Sequence, residues 1–247
     1  IERITSEKLS LAKSLNGDGL VVMNLDNEYL RGSVEKVKSK KITFAINNDA
    51  DVMAKNIKIT NTGSSFDLFI RGYKIKNIKF NLLGEHNILN LLGGIGVCLG
   101  LGIEIDAILL GVSGIKPIEH RLELKKIEGI TVIDDSFNAN EEGFKKAVDA
   151  LSIMEKDRII ITPGIIEQGS NTIKVNSELG EYLVSKVDEV ILVGENGRLL
   201  KDGLLKQNFD QNKIFLVDTF LQAWALVRGR ENINVLIEND LPEIYLK

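Results

Sequence analysis

A single cysteine, Cys98, in 247 residues excludes an intramolecular disulfide and a thiolate zinc cluster. It sits in an apolar run and reads as a small buried hydrophobe. Two histidines, His86 and His120, are too few for a histidine-rich metal site. There is no excess of positive charge: the net charge is −4, which argues against a broad nucleic-acid-binding face. Lys36, Lys38, Lys40 and Lys41 alternate as a solvated strand face or turn would. The start lacks a basic segment, short apolar stretch and cleavage site, so a cytoplasmic protein is expected. The longest apolar run, Ile88 to Ile103, is interrupted by Asn90 and five glycines. It falls short of the roughly 20 apolar residues that cross a bilayer, so it reads as a buried helix and no membrane span is expected. No Gly-Lys dipeptide occurs, so a glycine-rich loop cradling nucleotide phosphates beside a lysine is not expected. The first residue is isoleucine, not methionine, which reads as a fragment or a processed chain.

What remains is ordinary globular chemistry, 44% hydrophobic and 27% charged, with room for one large domain or two smaller ones. Ile4, Leu9, Leu11 and Leu15, with polar residues between, read as a helix, and Gly19 to Asn24 as a buried strand. From Lys41 to Phe80 short alternating segments, with turns at 61–64 and 71–73, predict an antiparallel patch. A helix follows from Asn87, where Ile88, Leu91, Leu92, Ile95 and Leu99 share one face. Glycines 93, 94, 96 and 100 leave room for a close neighbour. Gly94-x-Gly96 lacks the preceding strand of a dinucleotide fingerprint. A short helix at 105–112 leads to Gly114-Ile115-Lys116-Pro117, the expected boundary between domains 1–116 and 117–247.

Beyond the boundary, apolar strands at 130–133, 158–162, 190–193, 213–217 and 234–237 alternate with helical patterns at 141–154, 172–184, 197–206 and 220–228. That rhythm predicts an α/β fold with a doubly wound, mostly parallel, Rossmann-like sheet. Ligands of such sheets bind beyond the carboxyl ends of the strands.

Two segments concentrate chemistry. His120-Arg121-Leu122-Glu123 is followed by Ile133-Asp134-Asp135-Ser136-Phe137-Asn138-Ala139-Asn140. Carboxylates there could accept from ribose hydroxyls or an ammonium, and amide donors at a helix start suit a carboxylate or phosphate; alternatively Asp135, Ser136 or Asn140 merely caps the next helix. Gly84-Glu85-His86-Asn87-Ile88-Leu89-Asn90 sets Asn87 and Asn90 three apart on one helix face. An amide offers a donor and an acceptor together, matching an adenine edge, although Asn87 alone also reads as a helix cap and His86 as a structural hydrogen-bonding residue.

In this order and spacing, the three motifs resemble the signature of the Mur ligase family, and the last is most similar to the branch that adds D-alanyl-D-alanine to the UDP-muramoyl tripeptide. The resemblance covers nearly the whole chain. It implies that residues 1–116 are the C-terminal part of a central ATP-binding domain, and 117–247 a substrate domain. It implies ATP and Mg2+ as cofactors of a full-length parent, and a UDP-muramoyl peptide and D-alanyl-D-alanine or a similar amine as substrates. The reaction so implied forms an acyl phosphate on the peptide carboxylate, which the amine then attacks. Asn87 and Asn90 would meet adenine, Arg121 and Asp135 would hold the nucleotide with Asp135 at the ribose, and Ser136, Asn138 and Asn140 would line the pocket for the dipeptide. Lys8 matches in register the family's carbamylated lysine; the alternative is an exposed helix residue.

The departures are also specific. The family's phosphate loop, and the histidine and glutamate that bind magnesium, are not found in the sequence, so the chain alone is expected to have negligible ligase activity. The branch's Lys-Gly-Ser-Arg loop is replaced by Glu238-Asn239-Asp240, and Thr162-Pro163-Gly164-Ile165-Ile166-Glu167-Gln168-Gly169 replaces its Gly-Asp-Met-Leu-Glu-Leu-Gly. The amine is thereby left open: a ligase adding another amino acid, or a non-catalytic scaffold that keeps the C-terminal fold, are the alternatives.

Overall fold

The computed structural model describes residues 2–15, 18–60, 63–137, 140–166 and 168–239. They form two compact units, one within Ile1–Ile59 and Gly63–Lys116, the other within Pro117–Lys247.

In the first unit, helix α1 (Glu2–Ser14) is followed by strand β1 (Leu20–Asn24), a one-turn helix α2 (Glu28–Arg31) and strand β2 (Lys40–Ala45). Strands β3 (Val52–Thr60), β4 (Gly63–Ile70) and β5 (Tyr73–Phe80) come next, then helices α3 (Glu85–Gly100) and α4 (Ile105–Ser113). The sheet order is β1-β2-β3-β4-β5. The antiparallel patch expected over 41–80 is only partly there. Strands β1 and β2 are parallel, and so are β2 and β3. The short connection after Ala45 is too short to carry the chain back, so β3 joins β2 only at its tip, Phe44 opposite Val52 and Ala45 opposite Met53. Strands β4 and β5 are antiparallel, closed by Arg71 and Gly72, both at positive φ as a two-residue hairpin requires.

Helix α3 lies across β1 and β2 because its glycines remove the obstacle. A Cβ at Gly96 would stand 2.8 Å from Val22, one at Gly100 2.1 Å from Leu20, and one at Gly93 3.2 Å from Phe44. Gly94 faces open space, contrary to its expected share in that contact. Ile88, Leu91, Leu92 and Ile95 join Ile42, Val52, Phe66 and Leu68 in the core. Helix α1 turns otherwise than its spacing suggested. Leu9 and Ala12 pack with Met23 and Val37, while Ile4 and Leu11 stand 58% and 72% exposed; the small Ala12 lets the helix sit close on that side.

The second unit opens with strands β6 (Glu123–Ile127) and β7 (Ile130–Asp135), an antiparallel pair turning at Glu128-Gly129, again both at positive φ. Then follow α5 (Glu141–Ser152), β8 (Asp157–Thr162), α6 (Thr172–Leu183), β9 (Glu189–Val193), α7 (Gly194–Arg198), α8 (Leu200–Lys206), β10 (Ile214–Val217), α9 (Phe220–Val227) and β11 (Ile233–Glu238). Order is β10-β9-β8-β11-β7-β6, every pair parallel except β6–β7. This is the doubly wound, mostly parallel sheet expected. Phe220, Ala223 and Val227 of α9 pack with Ile159, Ile161, Ile191, Val235 and Ile237 on one face, while α5 lies against β8, β11 and α6. Strand β11 enters between β8 and β7, so the chain reverses its order there and the carboxyl ends of those three strands meet.

The amino ends of the strands are tied by ion pairs. Arg158 grips Asp188 through Nε and Nη2 at 2.9 Å each, and the buried Glu189 receives Arg230 at 2.8 and 2.9 Å and Lys213 at 3.1 Å. Behind the sheet α6 and α8 touch backbone to backbone. A Cβ on Gly203 would lie 1.8 Å from the Ser177 carbonyl oxygen, and one on Gly180 2.0 Å from that of Leu200. Gly203→Ala must push the helices apart and is expected to cost about 2–3 kcal/mol or more, seen as a lower urea midpoint. Gly94→Ala, with nothing within 4 Å, is expected to be neutral or to gain up to about 1 kcal/mol from helix propensity. Equal midpoints would show that α6 and α8 do not make this contact.

Candidate active site

The turn before β6 and the carboxyl end of β7 hold the polar residues singled out above. Successive residues of a strand point to opposite faces, so the two consecutive aspartates separate. Asp134 shares its side of β7 with Ile130 and Val132, which join the α9-side core, and it is fully buried; Asp135 turns the other way and is half-buried. The sequence had suggested that both carboxylates face ligand. The structure assigns them different work.

Asp134 stands opposite Glu123 in the β6–β7 register, a like-charge pair that would be unfavourable alone. Lys125, two residues on and on the same side, resolves it with Nζ 2.7 Å from Asp134 Oδ2 and 2.9 Å from Glu123 Oε2. His120 Nδ1 lies 2.9 Å from Asp134 Oδ2. The Ser136 hydroxyl donates to Asp134 Oδ1 at 2.7 Å, and its backbone N–H donates to the same oxygen at 3.2 Å. Burial by itself would raise the Asp134 carboxyl; the hydrogen bonds from Lys125, Ser136 and His120 outweigh it and hold the group below the usual range. For Lys125, burial works against the charge, but Asp134 and Glu123 keep the ammonium above its ordinary value.

Ser136, His120 and Asp134 have the composition of a hydrolytic triad but not its geometry. Hydroxyl and carboxylate both face the same ring nitrogen, Nδ1, at 3.2 and 2.9 Å, whereas a proton relay needs a separate nitrogen for each partner.

Asp135 Oδ1 accepts the Leu122 N–H at 3.0 Å. Its carboxyl is pushed up to about 6, chiefly by burial, with the Leu122 N–H and the Arg121 charge pulling down and Asp134 adding repulsion. His120 and Leu122 both hold positive φ, 61° and 45°, so Arg121 sits at the crest of a tight turn, further fixed by Phe137 N–H to His120 O at 3.3 Å. The exposed Arg121 guanidinium lies 4.4 Å over the Phe137 ring. A half-buried acceptor beside an exposed planar cation can bind a sugar hydroxyl with the one and a phosphate with the other.

Asn140 is the N-cap of α5, its Oδ1 accepting Gly143 N–H at 2.8 Å, so the capping reading applies to that residue. Asn138 lies outside the described residues. In the first unit, Asn87 is not a cap: α3 starts at Glu85 after Gly84, and Asn87 Nδ2 donates to Leu83 O at 2.8 Å. Asn90, three residues on, is exposed. Lys8 is within α1, and its side chain lies outside the described set.

Two residues assigned no role from sequence shape the same edge of the second unit. The buried Asn176 accepts Ile165 N–H at 2.8 Å and donates to Ile165 O at 2.9 Å, fixing the loop after β8. The buried Asn239 donates its side-chain amide to Gly164 O at 2.6 Å and its backbone N–H to Asp135 O at 3.2 Å, joining the ends of β11, β8 and β7. The signal for Asn239 was its place just after an apolar strand, where an asparagine readily takes the positive φ observed, 60°.

Comparison with known proteins decides the family. The Mur ligase middle domain matches residues 1–98, and the domain described as Mur ligase, glutamate ligase domain matches 120–237. The chain belongs to the Mur ligase family. A UDP-N-acetylmuramate–L-alanine ligase of Clostridium novyi is 37% identical over 136 residues, 55% of this chain and 30% of that protein. A UDP-N-acetylmuramoylalanine–D-glutamate ligase of Caldanaerobacter subterraneus is 30% identical over 208 residues, 82% of this chain and 42% of that one. Among solved structures, MurF from Acinetobacter baumannii shares the fold with a TM-score of 0.83 at 18% identity, covering 98% of this chain and 53% of its own. The chain spans half or less of the length of these curated Mur ligase relatives.

Asp135 provides a pH test. Its folded carboxyl keeps a proton between the ordinary 3.8 and about 6. The folded state therefore binds more protons in that window, and the stability it contributes falls as pH rises through it. Relative to wild type, Asp135→Asn is expected to gain stability steadily from pH 4 to about 6 and to level off above. Urea unfolding at a series of pH values measures this; a difference that stays flat would show an ordinary carboxyl.

Proposed function

We propose that the chain is the nucleotide- and amine-handling portion of an ATP-dependent ligase of peptidoglycan precursor synthesis. Its full-length parent would join D-alanyl-D-alanine, or a similar small amine, to the carboxylate of a UDP-linked muramoyl peptide. ATP supplies the phosphoryl group that activates the carboxylate. The observation that carries this reading is the pairing of Arg121, raised on its turn above Phe137, with the half-buried Asp135 at the carboxyl end of β7. Asp135 would accept from a ribose hydroxyl and Arg121 would neutralise a phosphate. Ser136 and Asn138, with Asn140 at the start of α5, would form the amine side. The Ser136 proton is committed to Asp134, so its hydroxyl presents lone pairs, which suits an ammonium donor. Within the first unit, Asn87 and Asn90 carry amides whose donor and acceptor atoms suit an adenine edge.

Magnesium fits less well. Among the described residues no group of three or more His, Cys, Asp or Glu side chains could hold a metal ion. Among the same residues, no helix is long and apolar enough to cross a membrane.

A second reading, in which the amine is a single amino acid, is favoured by the sequence relatives. Ligases adding L-alanine or D-glutamate reach 37% and 30% identity, while one adding D-alanyl-D-alanine, from Haemophilus influenzae, reaches 24% over 217 residues. Titration calorimetry separates the two. ADP should bind the chain and lose about tenfold in affinity in Arg121→Ala, a loss of about 1.4 kcal/mol. D-alanyl-D-alanine should bind with an affinity abolished by Asn138→Ala. Binding of L-alanine or D-glutamate instead would favour the second reading, and no binding of ADP would overturn the nucleotide assignment. ATP-dependent amide formation by this chain alone is expected to be negligible.

A further inference from the structure

We infer that Asp134 is a positioning residue: sealed beneath the site, it sets the turn at residues 120–122 and so places Arg121 and Ser136 for ligand. Its relevance to catalysis rests on the nucleotide and amine reading above; its geometry does not.

A carboxylate with no solvent exposure is costly to bury, and a well-packed apolar residue in its place is often neutral or stabilising. Its presence at the end of β7 therefore calls for something other than stability. No ligand can reach it, so whatever it does is done through its neighbours. Those neighbours are the site. Oδ2 faces His120 Nδ1 at 2.9 Å, and His120 is the first of two left-handed residues that flank Arg121. Left-handed backbone disfavours a residue with a Cβ, so such a turn persists only where its surroundings hold it. Here the ring of His120 is held by Asp134, the N–H of Leu122 by Asp135, the carbonyl of His120 by Phe137 N–H, and the Leu122 side chain by burial. On the other side, Oδ1 accepts the hydrogen bond of the Ser136 hydroxyl, whose oxygen is thereby left to act as an acceptor. One buried group thus orients the cation on one side of the site and a lone-pair donor on the other.

Lys125 and Glu123 make the arrangement durable. With the ammonium between the two carboxylates at 2.7 and 2.9 Å, Asp134 can hold its charge without water. Neutralising Asp134 leaves Lys125 still paired with Glu123, so Asp134→Asn removes the positioning charge without stranding a buried cation. Asp134→Ala leaves a void and is the poorer probe. His120→Asn is the second variant, because asparagine tolerates positive φ and the change removes the imidazole while leaving Asp134, Lys125 and Glu123 in place.

The experiment has two independent arms. In the first, ADP affinity is measured for wild type, Asp134→Asn, Arg121→Ala and the double variant. Asp134→Asn should weaken ADP about tenfold, or about 1.4 kcal/mol, with no further loss where Arg121 is already gone. Fully additive losses would overturn the inference. In the second arm, which needs no ligand, the Arg121 Nε–H resonance is followed by NMR. Shielded by the Phe137 ring in wild type, it should move toward the position of a free arginine in both Asp134→Asn and His120→Asn. An unmoved resonance in folded variants would overturn the inference whatever the calorimetry shows. Failure of wild type to bind ADP would instead sink the nucleotide reading alone, leaving the NMR arm to decide on Asp134.

Discussion

A charge that has lost its water must find its compensation within reach, and in the second unit that demand falls on Asp134. Its two oxygens are met from three separate segments: the turn before β6 through His120, the strand β6 through Lys125, and the loop after β7 through Ser136. None of these could move far without leaving a buried carboxylate uncompensated, at a cost of several kcal/mol per ion. The conformation of the surface that carries Arg121 and Asp135 is thus a consequence of an electrostatic condition satisfied just below it.

The rest of that edge follows the same logic with neutral groups. The loop after β8 folds back on itself around Asn176, and Gly164, at a φ of 75°, leaves its carbonyl oxygen to Asn239. A Cβ on Gly164 would stand 2.5 Å from Asn176 Oδ1 and 2.8 Å from Leu200, so the loop fits only without a side chain. Polar side chains with both donor and acceptor atoms are used here because buried backbone groups outside a sheet have no ladder to satisfy them.

Much of this was legible in the sequence, and the parts that were not share a cause. Strands β8, β9 and β11 were plain because each carries an unbroken apolar run, Ile159–Ile161, Val190–Val193 and Val235–Ile237, as the middle of a strand buried on both faces of a parallel sheet must. Strand β6 was not seen: Glu123 and Lys125 make it look like a loop until Asp134, eleven residues beyond Glu123, arrives opposite them. The facing of α1 was misjudged for the same reason, since Ala12 counts for little in a hydropathy pattern yet decides which side can approach Met23. At the candidate site, residue types and order drew attention to residues 120–123 and 133–140. They could not tell Asp134 from Asp135, because the difference lies in which side of the pleat each one occupies. The family resemblance alone singled out Asp135 for a ribose, without the physical reason that separates it from Asp134.

The ion pairs Arg158–Asp188 and Glu189–Arg230 lie at the amino ends of the strands, across the full length of the sheet from the loops that follow β7, β8 and β11. On the reading proposed above, the charged anchors and the ligand-facing groups thus stand at opposite margins of the sheet. Loops at the carboxyl ends could then change residues while the far margin keeps the strands in register. A scaffold divided in this way would let a lineage alter what it binds without first having to reinvent the sheet beneath.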